Sequence, residues 1–180
     1  GKFGFVSLHN ALANQFAGGV YATNLQRENI LGIQTVSDLS ELPVGEIDLA
    51  FFCTPASSNE ALLRQCAQLG ISSAFIASAG YRESGESGEA AEASLLSLAN
   101  SLGILIAGPN GQGGVSTPAS LCLQIVAPYP PQGGISVASQ SGNFVSSFLN
   151  YSRQSSVGIA RAISAGNATQ ISVEDFLDFF

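Results

Sequence analysis

Six turns in this 180-residue chain combine small, hydrogen-bonding residues, most of them with glycine, and each follows a short apolar run. They are Thr23-Asn24, Cys53-Thr54-Pro55, Ser78-Ala79-Gly80-Tyr81, Gly108-Pro109-Asn110-Gly111, Ser139-Gln140-Ser141-Gly142-Asn143 and Ala165-Gly166-Asn167. Glycine lets a backbone approach a ligand closely, and the N–H groups at a helix N-terminus, with the helix dipole behind them, bind anions without a lysine. Gly1-Lys2-Phe3-Gly4, at the start of the first helical segment, has the same character, with Lys2 as a point charge for a phosphate. The chemistry suggested is the holding of a phosphate or pyrophosphate by backbone amides, which is electrostatic and orientational work rather than proton transfer.

Other chemistries are poorly supplied. His9 is the only histidine, so neither a His-based zinc site nor a Ser-His-Asp triad with a choice of partners can be assembled, and no metal site is expected. Cys53, Cys66 and Cys122 are widely spaced among apolar residues and read as buried thiols. With 13 acidic and 6 basic side chains and a net charge of −7, the chain repels polyanions, which argues against nucleic acid. Its 46% apolar and 11% charged content suits a folded domain, and no apolar run is long enough for a membrane span, so a cytoplasmic protein is expected.

The elements that must position these turns read as an α/β fold. Apolar runs at 20–23, 47–53, 71–78, 104–107, 135–139 and 159–164 are nearly continuous, as parallel strands buried on both faces should be. Between them, Phe5, Leu8, Leu12 and Phe16 recur at helical spacing, with Gly18-Gly19 as the expected stop. Ser57 and Glu60 form an expected capping box opening a helix over 61–69, closed by Gly70; a second helix covers 89–102 and ends at Gly103; Ser172 and Asp175 open a last one through Phe180. Three prolines and two glycines at 128–134 mark a boundary. The start directly before a helix and the stop inside another read as the edges of a fragment.

The order and spacing of Asn24, Cys53-Thr54-Pro55, Ser78-Ala79-Gly80-Tyr81-Arg82-Glu83, Gly108-Pro109-Asn110, Ser139-Gln140-Ser141-Gly142 and Gly166-Asn167 resemble those of the ADP-forming acetyl-CoA synthetases over essentially the whole chain. The α subunit of succinyl-CoA synthetase and the bacterial protein lysine acetyltransferases that share the module are more distantly similar. The resemblance implies a Rossmann-like CoA-binding domain over 1–133, lacking its first strand, and the start of a flavodoxin-like domain over 134–180. It implies that Gly1, Lys2, Phe3, Gly4, Thr23, Asn24, Cys53, Thr54, Pro55, Ser78, Ala79, Gly80 and Asn110 line a CoA groove. Ser141, Gly142 and Asn143 would form the helix end that receives a phosphorylated histidine lying beyond this chain, so no catalytic residue is expected within it. ADP or ATP with Mg, and the remaining domains or a second ATP-grasp subunit, are implied as cofactors and partners.

The sequence departs from the family where Asn24-Leu25-Gln26 replaces Asn-Pro followed by Lys, where Gly111 replaces a Cys or Thr, and where Asn143 replaces a small apolar residue. Arg27 stands one residue beyond the missing lysine. Three other readings remain: a degenerate module that merely holds subunits together, a CoA-sensing region of a lysine acetyltransferase, and an NAD(P)-binding Rossmann domain. The last expects an acidic residue to hold a ribose where Thr23-Asn24 stands.

Overall fold

The structure is a computed structural model that describes residues 2–126 and 129–180, without the Lys2 side chain. Gly1 and the Lys2 side chain, both expected at the first anion-binding loop, and Pro128 of the expected boundary lie outside the described residues.

Helix α1 (Lys2–Ala13) opens the chain. Its buried face is made by the small residues Ser7 and Ala11, while Phe3 and Phe5 are about half exposed. The expected apolar stripe at Phe5 is therefore not the packed side. The helix stops earlier than Gly18-Gly19 suggest, because Gln15 takes the left-handed conformation with φ 57 and leaves Phe16 outside.

A two-residue hairpin follows, β1 (Asn29–Ile30) antiparallel to β2 (Ile33–Gln34). The apolar run at 20–23 forms no strand and makes only a parallel bridge between Thr23 and Val36.

The first sheet is parallel and three-stranded, as buried apolar runs alternating with helices require. It comprises β3 (Ala50–Phe52), β4 (Ser73–Ile76) and β5 (Leu105–Ala107), joined through α2 (Ala56–Gln68) and α3 (Glu86–Leu102). Register pairs Phe52 with Ile76 and Ala74 with Ile106. Those residues pack with Leu63, Cys66, Leu95 and Ala99 of the two helices. Removing the side chain of Leu63, which is fully buried, is expected to cost roughly 2–5 kcal/mol.

Two helix starts differ from expectation. Pro55 caps α2 with φ −57 already set for a helix, so α2 begins at Ala56 and Ser57 lies inside it; Glu60 accepts from Ser94 Oγ of α3 instead of closing a capping box. Helix α3 begins at Glu86, three residues early, and places two acidic residues in its first turn, where the dipole favours them. Gly103 ends it in the left-handed conformation as expected.

The second sheet has order β7-β6-β9-β8. It contains β6 (Gly113–Ser116), β7 (Leu121–Gln124), β8 (Gln132–Ser139) and β9 (Ile159–Ser164), with α4 (Gly142–Ser155) between the last two. Strands β8 and β9 are parallel; β6 runs antiparallel to both β9 and β7. Val115, Cys122, Val145, Leu149, Ile159 and Ala162 form its core. Strands β6 and β7 lie N-terminal to Gly133, yet complete the sheet that β8 and β9 begin. They were not expected, because glycine and proline punctuate 108–118 and mask the period-2 pattern. The last helix, α5 (Val173–Phe179), carries the expected capping box between Ser172 and Asp175.

The face of the first sheet away from α2 and α3 meets the second sheet across an apolar cavity of about 240 Å³, bordered by Phe51, Phe75, Leu105, Leu123, Ile163 and Phe180.

Candidate functional site

Two strand-end turns of the first sheet close on one another through a buried side chain, and a third joins them through its backbone. Asn59 of α2 is fully buried. Its Oδ1 accepts from Thr54 Oγ1 at 2.8 Å, and its Nδ2 donates to Ser78 Oγ at 3.2 Å and to the Tyr81 hydroxyl at 2.8 Å. Ser78 Oγ donates in turn to the Thr54 carbonyl at 2.5 Å. An asparagine amide has two hydrogens to give and both are used here, so the turns after β3 and β4 form one rigid unit. The turn after β5 joins it, since Asn110 N–H donates to the Ser78 carbonyl at 2.9 Å. Burial raises the Tyr81 pKa, and the bond from Asn59 opposes that.

Asn59 was not among the expected site residues. The available signal was an asparagine near the start of a helix, a residue that disfavours helix interiors unless its side chain has a partner.

Helix α1 enters beside the same edge. The backbone at Gly4 comes close to Cys53 of the β3 turn, where a Cβ on the glycine would lie 3.6 Å from the Cys53 Cβ. Phe3 and Gly4 sit within the first turns of α1 rather than in a loop before it. Cys53 is half-buried, and burial lifts its thiol to about 11, so it is a neutral neighbour rather than a nucleophile.

A groove of about 390 Å³ separates the stretch at Val20, Tyr21 and Thr23 from β3, with Thr54 also on its wall. Thr23 is thereby on the same groove as Thr54. Asn24 serves its own loop: its Oδ1 accepts from Gln26 N–H at 2.8 Å and its Nδ2 lies 3.5 Å from Glu28 Oε2. Arg27, the nearest candidate for the missing lysine, is held in a two-pronged ion pair by Glu41 at 2.8 and 2.9 Å and by Ser37 at 2.9 Å.

Two sets of backbone donors differ in availability. Pro55 caps α2 without a side-chain hydrogen bond; Ser58 N–H donates to the Pro55 carbonyl at 2.9 Å, and among the described residues only the Ala56 and Ser57 amides of the first turn are left for an anion. The Gly80 and Tyr81 amides instead donate to Glu83 Oε1 at 2.6 and 3.1 Å. Partial burial pushes the Glu83 pKa up, but bonds from Asn167, Gly80 and Tyr81 outweigh it, and the net direction is downward. Ala79 and Gly80 are exposed, and Gly80 has φ 105.

The second expected site is the start of α4. Ser141 caps it by accepting from Phe144 N–H at 3.3 Å, and its own N–H donates to Ser139 Oγ at 3.1 Å. Gln112 lies over this turn: its Nε2 donates to Asn143 Oδ1 at 3.2 Å, its Oε1 accepts from Ser146 Oγ, and its side chain packs on Gly142. Gln112 was not an expected participant. His9, the one histidine, is exposed on α1.

The residues suit the CoA and phosphate ligands that the sequence suggested. The N-terminus of α2 and the groove alongside the strand ends match an anionic ligand with an elongated arm. Among the described residues no group of three or more His, Cys, Asp or Glu could hold a metal ion, and no helix is long and apolar enough to cross a membrane.

Comparison with known proteins agrees with this layout. The acetate–CoA ligase (ADP-forming) I of Archaeoglobus fulgidus is 30% identical over 99% of this chain, which spans 26% of that protein. The α subunit of acetate–CoA ligase (ADP-forming) II of Pyrococcus furiosus is 29% identical over 99% of the chain, which spans 38% of the subunit. The chain thus corresponds to well under half of either relative. In structure it is similar to a dinucleotide-forming acetyl-coenzyme A synthetase 1 from Candidatus Korarchaeum cryptofilum, solved with phosphate and ADP, at a TM-score of 0.89 and 28% identity, covering 96% of this chain and 36% of that one. The CoA binding domain family matches residues 1–113 and the succinyl-CoA ligase like flavodoxin domain matches residues 132–180. On these matches and the shared fold, the chain belongs to the CoA binding domain family, with a succinyl-CoA ligase like flavodoxin domain following in the same sequence.

Proposed function

We propose that this chain is the CoA-positioning segment of a nucleotide-forming acyl-CoA synthetase of the ADP-forming type. The parent reaction exchanges acyl-CoA, ADP and phosphate with the acid, CoA and ATP through an acyl phosphate and a phosphohistidine, the histidine lying outside this sequence. The observation that carries the reading is the union of the Thr54, Ser78 and Asn110 turns at one edge of the sheet, next to the groove that Thr23 shares with Thr54.

In this reading the residues proposed for CoA are Gly1, Lys2, Phe3, Gly4, Thr23, Asn24, Cys53, Thr54, Pro55, Ser78, Ala79, Gly80 and Asn110. They divide the work. The Ala56 and Ser57 amides of α2, behind Pro55, supply donors for the pyrophosphate, and the groove takes the elongated remainder of the ligand. Asn24 acts by shaping its loop. Ser141, Gly142 and Asn143 offer the α4 terminus to a phosphoryl group brought by another part of the enzyme.

The domain division proposed is 1–133 and 134–180, with the first unit lending β6 and β7 to the second sheet. ADP or ATP with Mg would be held by the remaining domains or a second ATP-grasp subunit, in the cytoplasm. Neither nucleic acid nor a membrane enters as a partner.

Calorimetric titration with CoA, set beside NAD, tests the proposal. Heat from CoA and none from NAD is expected. Binding of NAD without CoA overturns it.

A further inference from the structure

The turn after β9 carries one side chain that touches two carboxylates of the first unit. Asn167 is 9% exposed. Its Nδ2 donates to Glu83 Oε2 at 2.8 Å and to Glu92 Oε2 at 2.6 Å, and its Oδ1 is 3.4 Å from Asn110 Nδ2. Its backbone N–H donates to the Pro109 carbonyl at 2.8 Å. Both amide hydrogens are therefore engaged, and an acidic residue could not replace them.

The surroundings leave this turn little freedom. Thr169 Oγ1 donates to Glu92 Oε1 at 2.5 Å and Thr169 N–H to the Gly108 carbonyl at 3.1 Å. Gly166 has φ 61, and a Cβ there would lie 2.2 Å from the Pro109 carbonyl oxygen, so only glycine lets the two turns meet. Arg82 faces Glu92, with Nε at 3.2 Å from Oε1, and balances the buried charge of that carboxylate.

Glu83 differs from Glu92 in being exposed. A free glutamate on a loop distributes itself over many rotamers, and confining it to one has an entropic cost. Asn167 holds one oxygen of Glu83 and so leaves the other directed at the Gly80 and Tyr81 amides. The same turn is bonded to β8 through Ala165 N–H and the Ser139 carbonyl at 2.8 Å, two residues before the Ser141 cap of α4.

We propose that Asn167 is a positioning residue that acts through Glu83 to set the Gly80–Tyr81 turn, and thereby the affinity of the groove for CoA. The affinity part rests on the reading of that turn as a wall of the CoA site. Asn167 itself touches no ligand in this scheme. Its effect crosses from the β9 turn to the β4 turn by a hydrogen-bonded chain of two side chains.

The test compares the wild-type chain with Asn167→Ala, Glu83→Ala and the double variant, and includes Asn167→Ser, whose hydroxyl is too short to span both carboxylates, in case the alanine variant does not fold. Amide hydrogen exchange at Gly80 and Tyr81 is measured without ligand, CoA affinity by calorimetry, and unfolding in denaturant alongside. Exchange at both amides is expected to rise by about tenfold in Asn167→Ala or Asn167→Ser, as loss of a positioning contact allows local opening. CoA affinity is expected to fall roughly 5- to 20-fold in each single variant and no further in the double, because the two residues act in one chain. Unchanged exchange at Gly80 and Tyr81 overturns the proposal, as does reduced stability with CoA affinity intact. A wild-type chain that binds no CoA refutes the CoA reading and the affinity part; faster exchange would then still support Asn167 as the holder of the turn, and unchanged exchange would overturn that too.

Discussion

The Ser78 hydroxyl donates to the Thr54 carbonyl at 2.5 Å, joining two turns 24 positions apart in the chain, and both residues are bonded to the single side chain of Asn59. The two parallel strand ends are thus held in fixed relation by side chains as well as by the sheet ladder. Rigid turns of this kind suit a ligand bound mainly by backbone groups, which must be in place before it arrives.

Replacement of Asn59 by leucine is expected to lower unfolding stability by about 2–4 kcal/mol, because Thr54, Ser78 and Tyr81 all lose a buried partner. Denaturant unfolding measures the loss. A change under about 1 kcal/mol would show that water or neighbouring groups replace the amide.

Gly166→Ala is expected to cost more than about 2 kcal/mol, since it adds both a left-handed φ penalty and a collision with the Pro109 carbonyl. The midpoint of denaturant unfolding should fall without a change of slope. The same substitution at Gly134, where nothing lies within 4 Å of the added Cβ, is the control and should be near neutral.

The lowered pKa of Glu83 makes a signed prediction. A carboxylate whose folded pKa lies below its usual 4.5 contributes stability that is present above the usual value and is lost as pH falls through the folded one. Wild-type stability should therefore decline below about pH 4.5, and Glu83→Gln should show a shallower decline than wild type in thermal melts across that range. An identical acid slope in both proteins would remove Glu83 from the account.

Cysteine alkylation should be slow at neutral pH. Burial lifts Cys53 and Cys66 to about 11 and Cys122 to about 12, so thiolate is scarce near pH 7.5. Mass spectrometry after iodoacetamide should find Cys53, the half-buried one, modified first and Cys66 and Cys122 left intact until unfolding. Rapid modification of Cys122 in the native chain would contradict the packing of the second sheet.

Ser141→Ala is expected to destabilise α4 by about 1 kcal/mol through loss of the cap to Phe144 N–H. Chemical shifts of the first turn of α4 and the unfolding midpoint should both move, and a neutral substitution would mean that Gln112 already holds that turn.

What the sequence determined by itself was the part written in neighbouring residues. Alternating apolar runs and small-residue turns marked the strands at 73–76, 105–107 and 159–164. Gly103 and the Ser172–Asp175 pair set helix ends, because periodicity, φ preference and caps act within a few positions. Those signals also located the turns at Thr54, Ser78, Asn110 and Ser141 just beyond strand ends. The tertiary structure alone decided that the run at 20–23 forms a single bridge, that β6 and β7 reach across to β9, and that Ser7 and Ala11 rather than the phenylalanines seat α1. It alone also brought Asn59 to Tyr81, Gln112 to Asn143 and Asn167 to Glu83, the last pair 84 positions apart. A side chain's hydrogen-bonding capacity is a property of its residue type, but its partner is whatever packing brings within about 3 Å, and that distance depends on every element between them.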